Sequence, residues 1–557
     1  MTPHELSDAV VHALSALVDR GAVELEGQLP ESVVVERPRN RAHGDYATNV
    51  ALQLGKRSNV GPRPLATLLA EELTAVDGIA SVDVAGPGFL NITFDAGAQG
   101  VLAGRIVAEG AAYGRNTTLS GRRVNVEFIS ANPTGPLHLG HTRWAAVGDA
   151  LARVMEAAGA EVTREFYVND RGNQMDMFAA SVEAAALGRP VPDDGYHGTY
   201  IADLAQQVVA RRPDILDLPD GDRLTAFREE AYQLQLAEQR EQLDTFRTHF
   251  DVWFSERSLY DDGKVGHGLE VLEKHGHLFE ADGALWMRTT DFGDDKDRVL
   301  RRGNGELTYF ASDTAYYVDK RERGFDVCIY LLGADHHGYV GRLRSMAACT
   351  GDDPNQTLEV LIGQLVKILR GGEEVRLSKR AGSMVTLDEL VDLIGVDALR
   401  YTLARYPADS PLTLDVEQIT RASNDNPVFY VQYAHARLAS ILRNAADLGV
   451  AVATASGDAF DPSLLAHPRE GELLRGLAEF PRVVAAAAQL REPHRVARYL
   501  EDTAGIFHRF YDACRVLPQG DEDPTDLHRA RLVLVDATRV VLANGLALLG
   551  VTAPERM

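Results

Sequence analysis

The chain has 557 residues, of which 45% are apolar, enough for hydrophobic cores in three or four domains, and this excludes a mainly disordered protein. It carries 81 acidic and 57 basic side chains, a formal charge of −24. This balance argues against a broadly basic nucleic-acid-binding body, because phosphate binding uses clustered Lys and Arg.

Cysteine use and the N-terminal pattern both bear on the compartment. Cys328, Cys349 and Cys514 lie far apart, without the C-x-x-C spacing of a structural zinc site, so neither a disulfide framework nor such a site is expected. The first 27 residues have an acidic, amphipathic pattern that is not typical of a signal or transit peptide. No stretch is apolar enough to span a membrane. We therefore predict a cytoplasmic protein without a membrane anchor.

In chain order, the first predicted unit is a small α+β module over residues 1–112. It begins with a helical pattern and contains short strand patterns at 32–35 and 89–94, the second directly after a Gly-Pro-Gly turn.

A second unit, residues 113–410, begins with a strand, a helix and a strand at 124–129, 141–158 and 161–168. This order is typical of a βαβ unit and predicts an α/β fold with a doubly wound parallel, Rossmann-type sheet.

The later part of the chain predicts an insertion and a bundle. Residues 173–299 are charged and mostly helical in pattern, and we interpret them as a helical insertion into the sheet. Strand patterns return at 327–332 and 358–362. Residues 411–557 have helical periodicity throughout, which predicts a C-terminal all-α bundle.

The segment with the most chemical information, residues 127–141, has the sequence EFISANPTGPLHLGH. It places His138 and His141 on either side of Gly140, in the turn between a predicted strand and a predicted helix. In a parallel α/β sheet this turn lies at the ligand-binding edge, where unpaired N–H groups at the helix start attract anions. Two imidazoles there can donate hydrogen bonds to a phosphorus centre. The alternatives are exposed turn histidines or a pair of zinc ligands.

A second basic element lies far downstream, in the sequence EVRLSKRAG of residues 374–382. It holds Lys379, one of only seven lysines, between Arg376 and Arg380. Such a cluster can neutralise the β- and γ-phosphates of a nucleoside triphosphate. Alone it would usually be a solvated face; with the histidine turn it predicts the second half of an active site.

These two elements resemble the H-I-G-H turn and the K-M-S-K-S loop of class I aminoacyl-tRNA synthetases. In the second, Arg376 replaces the first Lys and Arg380 replaces the final Ser. The resemblance implies catalysis by His138, His141 and Lys379. It also implies ATP binding by a larger set of residues: His138, Gly140, His141, Arg376, Leu377, Ser378, Lys379 and Arg380.

Within that class, the chain resembles the arginyl-tRNA synthetase family along nearly its whole length. The similar segments are GDYATN at 44–49, EFISANP at 127–133, YVNDRGNQ at 167–174, NPVFYVQYAHAR at 426–437 and PERM at 554–557. Matches in separate domains make a chance resemblance improbable.

An arginine pocket needs carboxylates and neutral acceptors, because a guanidinium presents five N–H donors in a rigid plane. The resemblance implies that the pocket contains Glu127, Asn132, Tyr309, Asp313, Asp335 and His336. The four-residue gap from Tyr309 to Asp313 predicts that both lie on one helical face. The alternatives are an acid favoured by the helix dipole for Asp313 and a core aromatic for Tyr309. No third ligand accompanies His336 and His337, so no protein-bound metal is predicted.

The expected reaction has two steps. L-arginine and ATP first form arginyl-adenylate, with Mg²⁺ accompanying the triphosphate, and the arginyl group is then transferred to the terminal adenosine of arginine tRNA. The resemblance makes the bundle an anticodon-binding domain with Tyr430, Tyr433, His435 and Arg437 at helical spacing, a combination suited to stacking bases and pairing phosphates. In the N-terminal module it implies tRNA contacts by Phe89 and Asn91, although Phe89 could equally be a core residue.

Three alternatives stay open from the sequence: another class I synthetase, a nucleotidyltransferase with the same turn, and a tRNA-binding paralogue without catalysis. The resemblance favours a monomer. Residues 30–63, 365–382 and 420–443 together hold eight more basic than acidic groups, so tRNA is expected on local basic strips of an acidic body.

Overall fold

The computed structural model describes residues 1–38, 40, 43–374, 385–450 and 460–557. Its N-terminal module packs helices on a small antiparallel sheet of strand order β1-β3-β2, and its elements are α1 (Pro3–Asp19), β1 (Tyr46–Thr48), α2 (Val50–Leu54), α3 (Pro62–Thr74), β2 (Ile79–Ala85), β3 (Phe89–Phe94) and α4 (Ala96–Glu109). The strand predicted at residues 32–35 is wrong. The Val33 N–H donates to Ser7 Oγ of α1 at 2.9 Å, and only Glu36 reaches the outer edge of β1, through a single bridge to Ala47.

The centre of the molecule is a five-stranded, fully parallel sheet of order β11-β10-β4-β5-β6. The strands are β4 (Arg123–Glu127), β5 (Glu161–Val168), β6 (Val252–Ser255), β10 (Val327–Gly333) and β11 (Leu358–Gly363). In chain order the sheet grows outward from β4 in one direction and then, from β10, in the other. Doubly wound sheets bind ligands at this reversal, so the crevice between the carboxyl ends of β4 and β10 is the expected site.

The helix after β4 is α5 (Leu139–Ala157), with His138 as its N-cap residue. It packs closely on the sheet at Gly148, where a Cβ atom would lie 2.5 Å from the Phe128 ring. The histidine turn therefore has a fixed position relative to the end of β4.

Residues 173–299 are not helical throughout, which corrects the expected helical insertion. Three helices, α6 (Asn173–Ala186), α7 (Thr199–Arg211) and α8 (Asp220–Thr245), are followed by β6, which pairs with β5 in the main sheet. A separate antiparallel sheet then contains β7 (Leu278–Ala281), β8 (Ala284–Met287) and β9 (Arg298–Arg301), after α9 (Glu256–Asp261) and α10 (Lys264–Lys274). These strands have only four residues each, too few for periodicity to distinguish them from helix.

The second half of the sheet is covered by short helices and a small mixed sheet of order β13-β12-β14. These elements are α11 (Tyr309–Glu322), α12 (Val340–Cys349), α13 (Pro354–Thr357), β12 (Val366–Arg370), β13 (Glu373–Glu374), α14 (Leu387–Ile394), α15 (Val396–Ala404) and β14 (Leu412–Asp415). The predicted domain boundaries, after residues 112 and 410, stay predictions.

The C-terminal part is helical, as predicted, except that residues 412–415 form β14, which pairs with β12; the helices have breaks at prolines. Its helices are α16 (Val416–Ile419), α17 (Pro427–Asp447), α18 (Pro468–Ala478), α19 (Phe480–Gln489), α20 (His494–Ala513) and α21 (Asp526–Leu548). Residues 469–490 form two helices because Pro481 lies in the first turn of α19, where a missing N–H is tolerated, and would break a continuous helix.

One fully buried arginine joins helix α5, the end of α8 and the chain after α21. Arg400 of α15 forms an ion pair with Asp149 of α5. Its guanidinium also donates to the carbonyls of Phe246, Arg247 and Leu549 at 2.8, 3.1 and 3.2 Å. Because all these acceptors surround one planar fork, a lysine cannot satisfy them together.

We expect Arg400→Lys to lower the free energy of unfolding by roughly 2 kcal/mol or more, because buried acceptors lose their donors. The matched control is Arg405→Lys at the C-cap of the same helix, whose ion pair with Glu501 is partly exposed and should contribute about 1 kcal/mol or less. Thermal denaturation of the two variants checks this, and equal shifts would contradict it.

Candidate active site

A cavity of about 1030 Å³ opens at the carboxyl edge of the sheet, at the reversal between β4 and β10. Its wall includes Glu127 at the end of β4, both histidines of the turn, and Asp313 of α11. Two segments that are distant in the sequence, residues 127–141 and α11, are thus brought to one cavity.

The turn between β4 and α5 contains two residues with left-handed backbone. Ile129 has φ 67° and Ser130 has φ 45°, and for a β-branched residue such as isoleucine this conformation is strained. The Ser130 hydroxyl donates to Glu127 Oε1 at 3.1 Å and accepts the Tyr167 N–H at 3.2 Å. The strained turn therefore ties the Glu127 carboxylate to the neighbouring strand β5.

The two histidine rings lie against each other at a tilt of 31°, and backbone contacts fix their tautomers. Their ring centroids lie 3.8 Å apart. His138 Nδ1 accepts the Gly140 N–H at 3.1 Å, and His141 Nδ1 accepts the His138 N–H at 3.3 Å. A neutral imidazole that accepts at Nδ1 carries its proton on Nε2, so each ring keeps one N–H donor for a ligand.

Burial lowers the pKa of both histidines, and it lowers that of His141 to about 3, with a further contribution from the neighbouring His138. Both rings are therefore neutral at physiological pH and act as hydrogen-bond donors without adding charge. This geometry is suited to a phosphate group at the start of α5.

The two carboxylates of the cavity have different surroundings. Glu127 is buried and forms an ion pair with Lys320 at 2.6 Å. Asp313 accepts a hydrogen bond from the Tyr339 phenol. Burial, with a smaller contribution from the Glu127 charge, raises the pKa of the Asp313 carboxyl to about 6, despite that hydrogen bond. Asp313 is therefore an anionic group that lacks a protein cation in the described part of the chain.

Asn132 lies in a chain of amides formed with the segment that follows β5. Its Nδ2 donates to Gln174 Oε1 at 2.7 Å, and its Oδ1 accepts from Asn169 at 2.8 Å. Asn132 and Asn169 both line the cavity. The 167–174 motif therefore contributes to the site by orienting Asn132, a role that was not assigned to Asn169 and Gln174 from the sequence.

Asp335 and His336 lie at the cavity mouth on a short 3₁₀ segment, Ala334–Tyr339, and both side chains are largely exposed. Tyr309 is placed differently from the prediction. It is the first residue of α11, its side chain is 80% exposed, and it does not belong to the cavity wall.

A third acidic residue, missed from the sequence, lies behind the wall. Glu256 is buried at the start of α9. Its pKa is raised to about 7, chiefly by burial and also by the charges of Asp170 and Asp313, while the charge of Arg171 lowers it. In the sequence it is an ordinary first-turn glutamate, and only the packing of β6 beside β5 shows its proximity to Asp313.

The predicted basic residues Arg376, Leu377, Ser378, Lys379 and Arg380 lie outside the described residues. Glu374 and Val385, on either side of them, both line the cavity. The Leu139 N–H donates to the Val385 carbonyl at 3.0 Å, and the Leu387 N–H to the Leu137 carbonyl at 2.8 Å. The chain that flanks this segment is thus bonded directly to the histidine turn.

The residues predicted to contact tRNA divide into exposed and buried ones. Phe89 and Tyr433 are exposed, Tyr430 packs against His508, and Arg437 lies over the Tyr511 ring at 4.2 Å. Asn91 is half-buried in β3, paired across the sheet with Ala47 and Asp83.

His435 corrects the prediction. It is buried, and its Nδ1 bonds to the Pro554 carbonyl at 2.9 Å, so its ring is not available to a nucleic acid in this structure.

Among the described residues, no group of three His, Cys, Asp or Glu side chains could hold a metal ion, and no helix has the length and apolar character to cross a bilayer. Cys328, Cys349 and Cys514 are buried free thiols.

The fold and the site define the class of protein, and the matches in the flanking domains then define the family. Residues 104–401 match the family model described as "tRNA synthetases class I (R), catalytic domain". A methionyl-tRNA synthetase from Mycobacterium tuberculosis has the same general fold, with a TM-score of 0.52 at 13% identity over 77% of this chain and 92% of that one.

The flanking matches and full-length relatives are specific to one family. Residues 4–94 match the arginyl tRNA synthetase N-terminal domain, and residues 431–557 match the DALR anticodon binding domain. Curated arginine–tRNA ligases from Frankia alni and Kineococcus radiotolerans are 58% and 56% identical over 100% of both chains. The fold resembles that of Thermus thermophilus arginyl-tRNA synthetase, with a TM-score of 0.75, 24% identity and 100% of each chain covered. The chain belongs to the arginyl-tRNA synthetase family.

Proposed function

We propose that this chain is an arginine–tRNA ligase that activates L-arginine with ATP and transfers the arginyl group to the terminal adenosine of arginine tRNA. The observation that carries the proposal is the cavity, in which two carboxylates, Glu127 and Asp313, share a wall with the paired histidines. Free arginine has two cationic ends, an ammonium and a guanidinium. Each carboxylate can therefore take one of them while the substrate carboxylate lies toward the phosphate site.

In the first step the arginine carboxylate attacks the α-phosphate of ATP, and pyrophosphate leaves. The Nε2–H groups of His138 and His141 donate to the oxygens on which charge develops, which supports the transition state by preorganised dipoles. Lys379, with Arg376, neutralises the departing pyrophosphate. In the second step the ribose hydroxyl of the terminal adenosine attacks the adenylate carbonyl.

Mg²⁺ accompanies ATP in this proposal. Mg²⁺ retains waters and binds through phosphate oxygens with one or two carboxylates, so it would be delivered with the nucleotide. When bound it neutralises phosphate charge, and Asp335 and Glu374 on the cavity wall are the carboxylates that could reach it.

Arginine-dependent exchange of pyrophosphate into ATP, measured with and without arginine tRNA, tests this function. Exchange is expected with arginine and tRNA present, and not with lysine or with the neutral isostere citrulline, because a pocket built for five donors leaves acceptors unpaired with either. A blank with cognate tRNA, or equal exchange with lysine, would overturn the assignment. The resemblance suggests that activation needs tRNA, so a blank without tRNA decides nothing against it.

The pH profile of kcat/KM for arginine should decrease on the acid side because of a carboxylate in the arginine site. Asp313, with a pKa of about 6, binds the guanidinium only when ionised. Therefore kcat/KM for arginine falls as the pH is lowered through about 6. His141, with a pKa of about 3, is neutral in this range and does not contribute. With saturating arginine the carboxylate stays paired, so kcat/KM for ATP should keep its value to lower pH, and a shared limb for both substrates would contradict this.

Tyr433 is the exposed aromatic best placed to stack on an unpaired anticodon base, because its ring is 37% exposed and lies flat against Phe429. We expect Tyr433→Ala to raise KM for tRNA by roughly 5- to 100-fold, the range of base stacking, without changing KM for arginine. Tyr406→Ala is the matched control, since that tyrosine is 38% exposed but lies outside the bundle. Equal effects of the two variants would exclude a specific stacking role.

We also propose that the chain acts as a monomer in the cytoplasm. The three buried free thiols support a reducing compartment. Sedimentation velocity with and without tRNA tests the oligomeric state, and a dimer in both conditions would contradict the proposal.

A further inference from the structure

A buried lysine lies directly behind the Glu127 side chain. Lys320, on α11, is fully buried, and its Nζ lies 2.6 Å from Glu127 Oε2. The same Nζ lies over two aromatic rings, 4.3 Å from the Tyr316 centroid and 3.9 Å from the Tyr330 centroid. Tyr330 is the β10 residue paired with Glu127 of β4. Lysine is almost never fully buried unless it is paired, so this contact needs a specific reason.

The other nearby carboxylate is already engaged elsewhere. Glu165 of β5 accepts two hydrogen bonds from Arg323, at 2.7 and 2.8 Å. It also accepts from the Tyr316 hydroxyl at 2.6 Å and from Asn125 at 2.9 Å. In the described part of the chain, Glu127 is the carboxylate bonded to Lys320.

The two oxygens of Glu127 are held on different sides. Oε2 faces Lys320, and Oε1 accepts the Ser130 hydroxyl from the strained turn. Each carboxylate oxygen can accept about two hydrogen bonds, so Oε1 keeps one position for a ligand in the cavity. The carboxylate plane is thus set by contacts on two elements, α11 and the β4–α5 turn.

The same contact compensates the charge of Glu127. Burying a carboxylate is costly unless a cation pairs with it, and Lys320 is that cation. Lys320 does not itself line the cavity and lies behind wall residues. Its charge therefore supports the carboxylate from behind without occupying the substrate space.

We propose that Lys320 is a positioning residue for arginine binding, which acts through Glu127 by pairing with that carboxylate and holding it in place at the cavity wall. This rests on the proposed function, in which Glu127 binds one cationic end of arginine. The lysine is outside all the motifs of the sequence and would otherwise be interpreted as a surface residue near the end of a helix.

The test compares KM for arginine, KM for ATP and kcat of four proteins: the parent, Lys320→Met, Glu127→Gln and the double variant. Lys320→Met should raise KM for arginine at least about 20-fold, with KM for ATP within about threefold, because only the arginine contact depends on the pair. In the Glu127→Gln background the same change should have less than about a threefold further effect, since the residue acts through Glu127.

The matched control is Lys264→Met. Lys264 also pairs with a carboxylate, Asp319 at 2.9 Å, and lies over a ring, that of Phe254 at 5.1 Å, but it is outside the cavity. It should leave KM for arginine unchanged. Lys320→Arg, which keeps the cation, should recover arginine binding to within about tenfold of the parent.

Several results would overturn the proposal: an unchanged KM for arginine in Lys320→Met, equal increases in KM for arginine and ATP, or additive effects of the two substitutions. If Lys320→Met does not fold, the proposal is tested by KM for arginine in Lys320→Arg and in the double variant compared with Glu127→Gln. The double variant should fold, because removing both partners leaves no unpaired buried charge. Loss of exchange activity in the parent itself would instead refute the proposed function, so the two failures are distinguishable.

Discussion

His141→Ala should lower kcat of aminoacylation by roughly 10²- to 10³-fold, the usual effect of removing one preorganised donor from a developing oxyanion. The His141 ring is neutral, and its Nδ1 is occupied by the His138 N–H, so Nε2–H is the donor that the variant loses. KM for arginine should change little, because the ring lies at the phosphate side of the cavity. Steady-state kinetics with arginine and ATP varied separately measures this.

A second variant separates catalysis from helix capping. His141 is the third residue of α5, and its ring closes a capping box with His138. Glutamine is a common residue at this position of a capping box, so His141→Gln should retain the melting temperature. It should still turn over at least about tenfold more slowly than the parent, because an amide does not reproduce the ring geometry. Full activity of His141→Gln would show that only the cap matters.

Asp313→Asn should raise KM for arginine by roughly 10²-fold with a smaller effect on kcat, because a charge-assisted contact to the guanidinium becomes a neutral one. The Tyr339 phenol can still donate to the amide oxygen, so the local packing is retained. The acid limb of kcat/KM near pH 6 should disappear in the same variant, since Asp313 is the group assigned to it.

Stability provides a control for this variant. The pKa of Asp313 is raised in the folded chain, so the ionised carboxylate opposes folding above about pH 6 and is neutral well below it. Asp313→Asn should therefore melt no lower than the parent at pH 7.5. Asp262→Asn, at an exposed carboxylate that does not line the cavity, should change KM for arginine by less than about threefold, and equal effects of the two would contradict the assignment of Asp313.

The parts of the site that follow from local pattern were predicted from the sequence. A buried strand, a Gly-containing turn and an amphipathic helix determine that the histidines lie at the ligand edge, and β4, α5 and β5 confirm the predicted βαβ order. The strained turn at Ile129 and Ser130 was not predictable, because neither residue type favours left-handed backbone.

The residues that were missed or misplaced depend on packing. Lys320 and Glu256 are ordinary charged residues in helical patterns, and only the neighbouring elements make them buried. His435 was grouped with Tyr430 by spacing. At about 100° per residue, however, five positions turn the helix by about 140°, onto the opposite face. Tyr309 shares a face with Asp313, but at the first residue of α11 it projects beyond the cavity.

Because Arg400 is buried and fully bonded, the stability of the enzyme depends on the specificity of its own reaction. Fifty of its 557 residues are arginine, each delivered to the ribosome by a tRNA that this activity charges. If the pocket charged that tRNA with an amino acid having fewer donors, some new copies would carry it at Arg400, where several backbone carbonyls and Asp149 need one guanidinium. Those copies would fold less stably than correct ones. A loss of specificity would therefore reduce the supply of the enzyme that caused it.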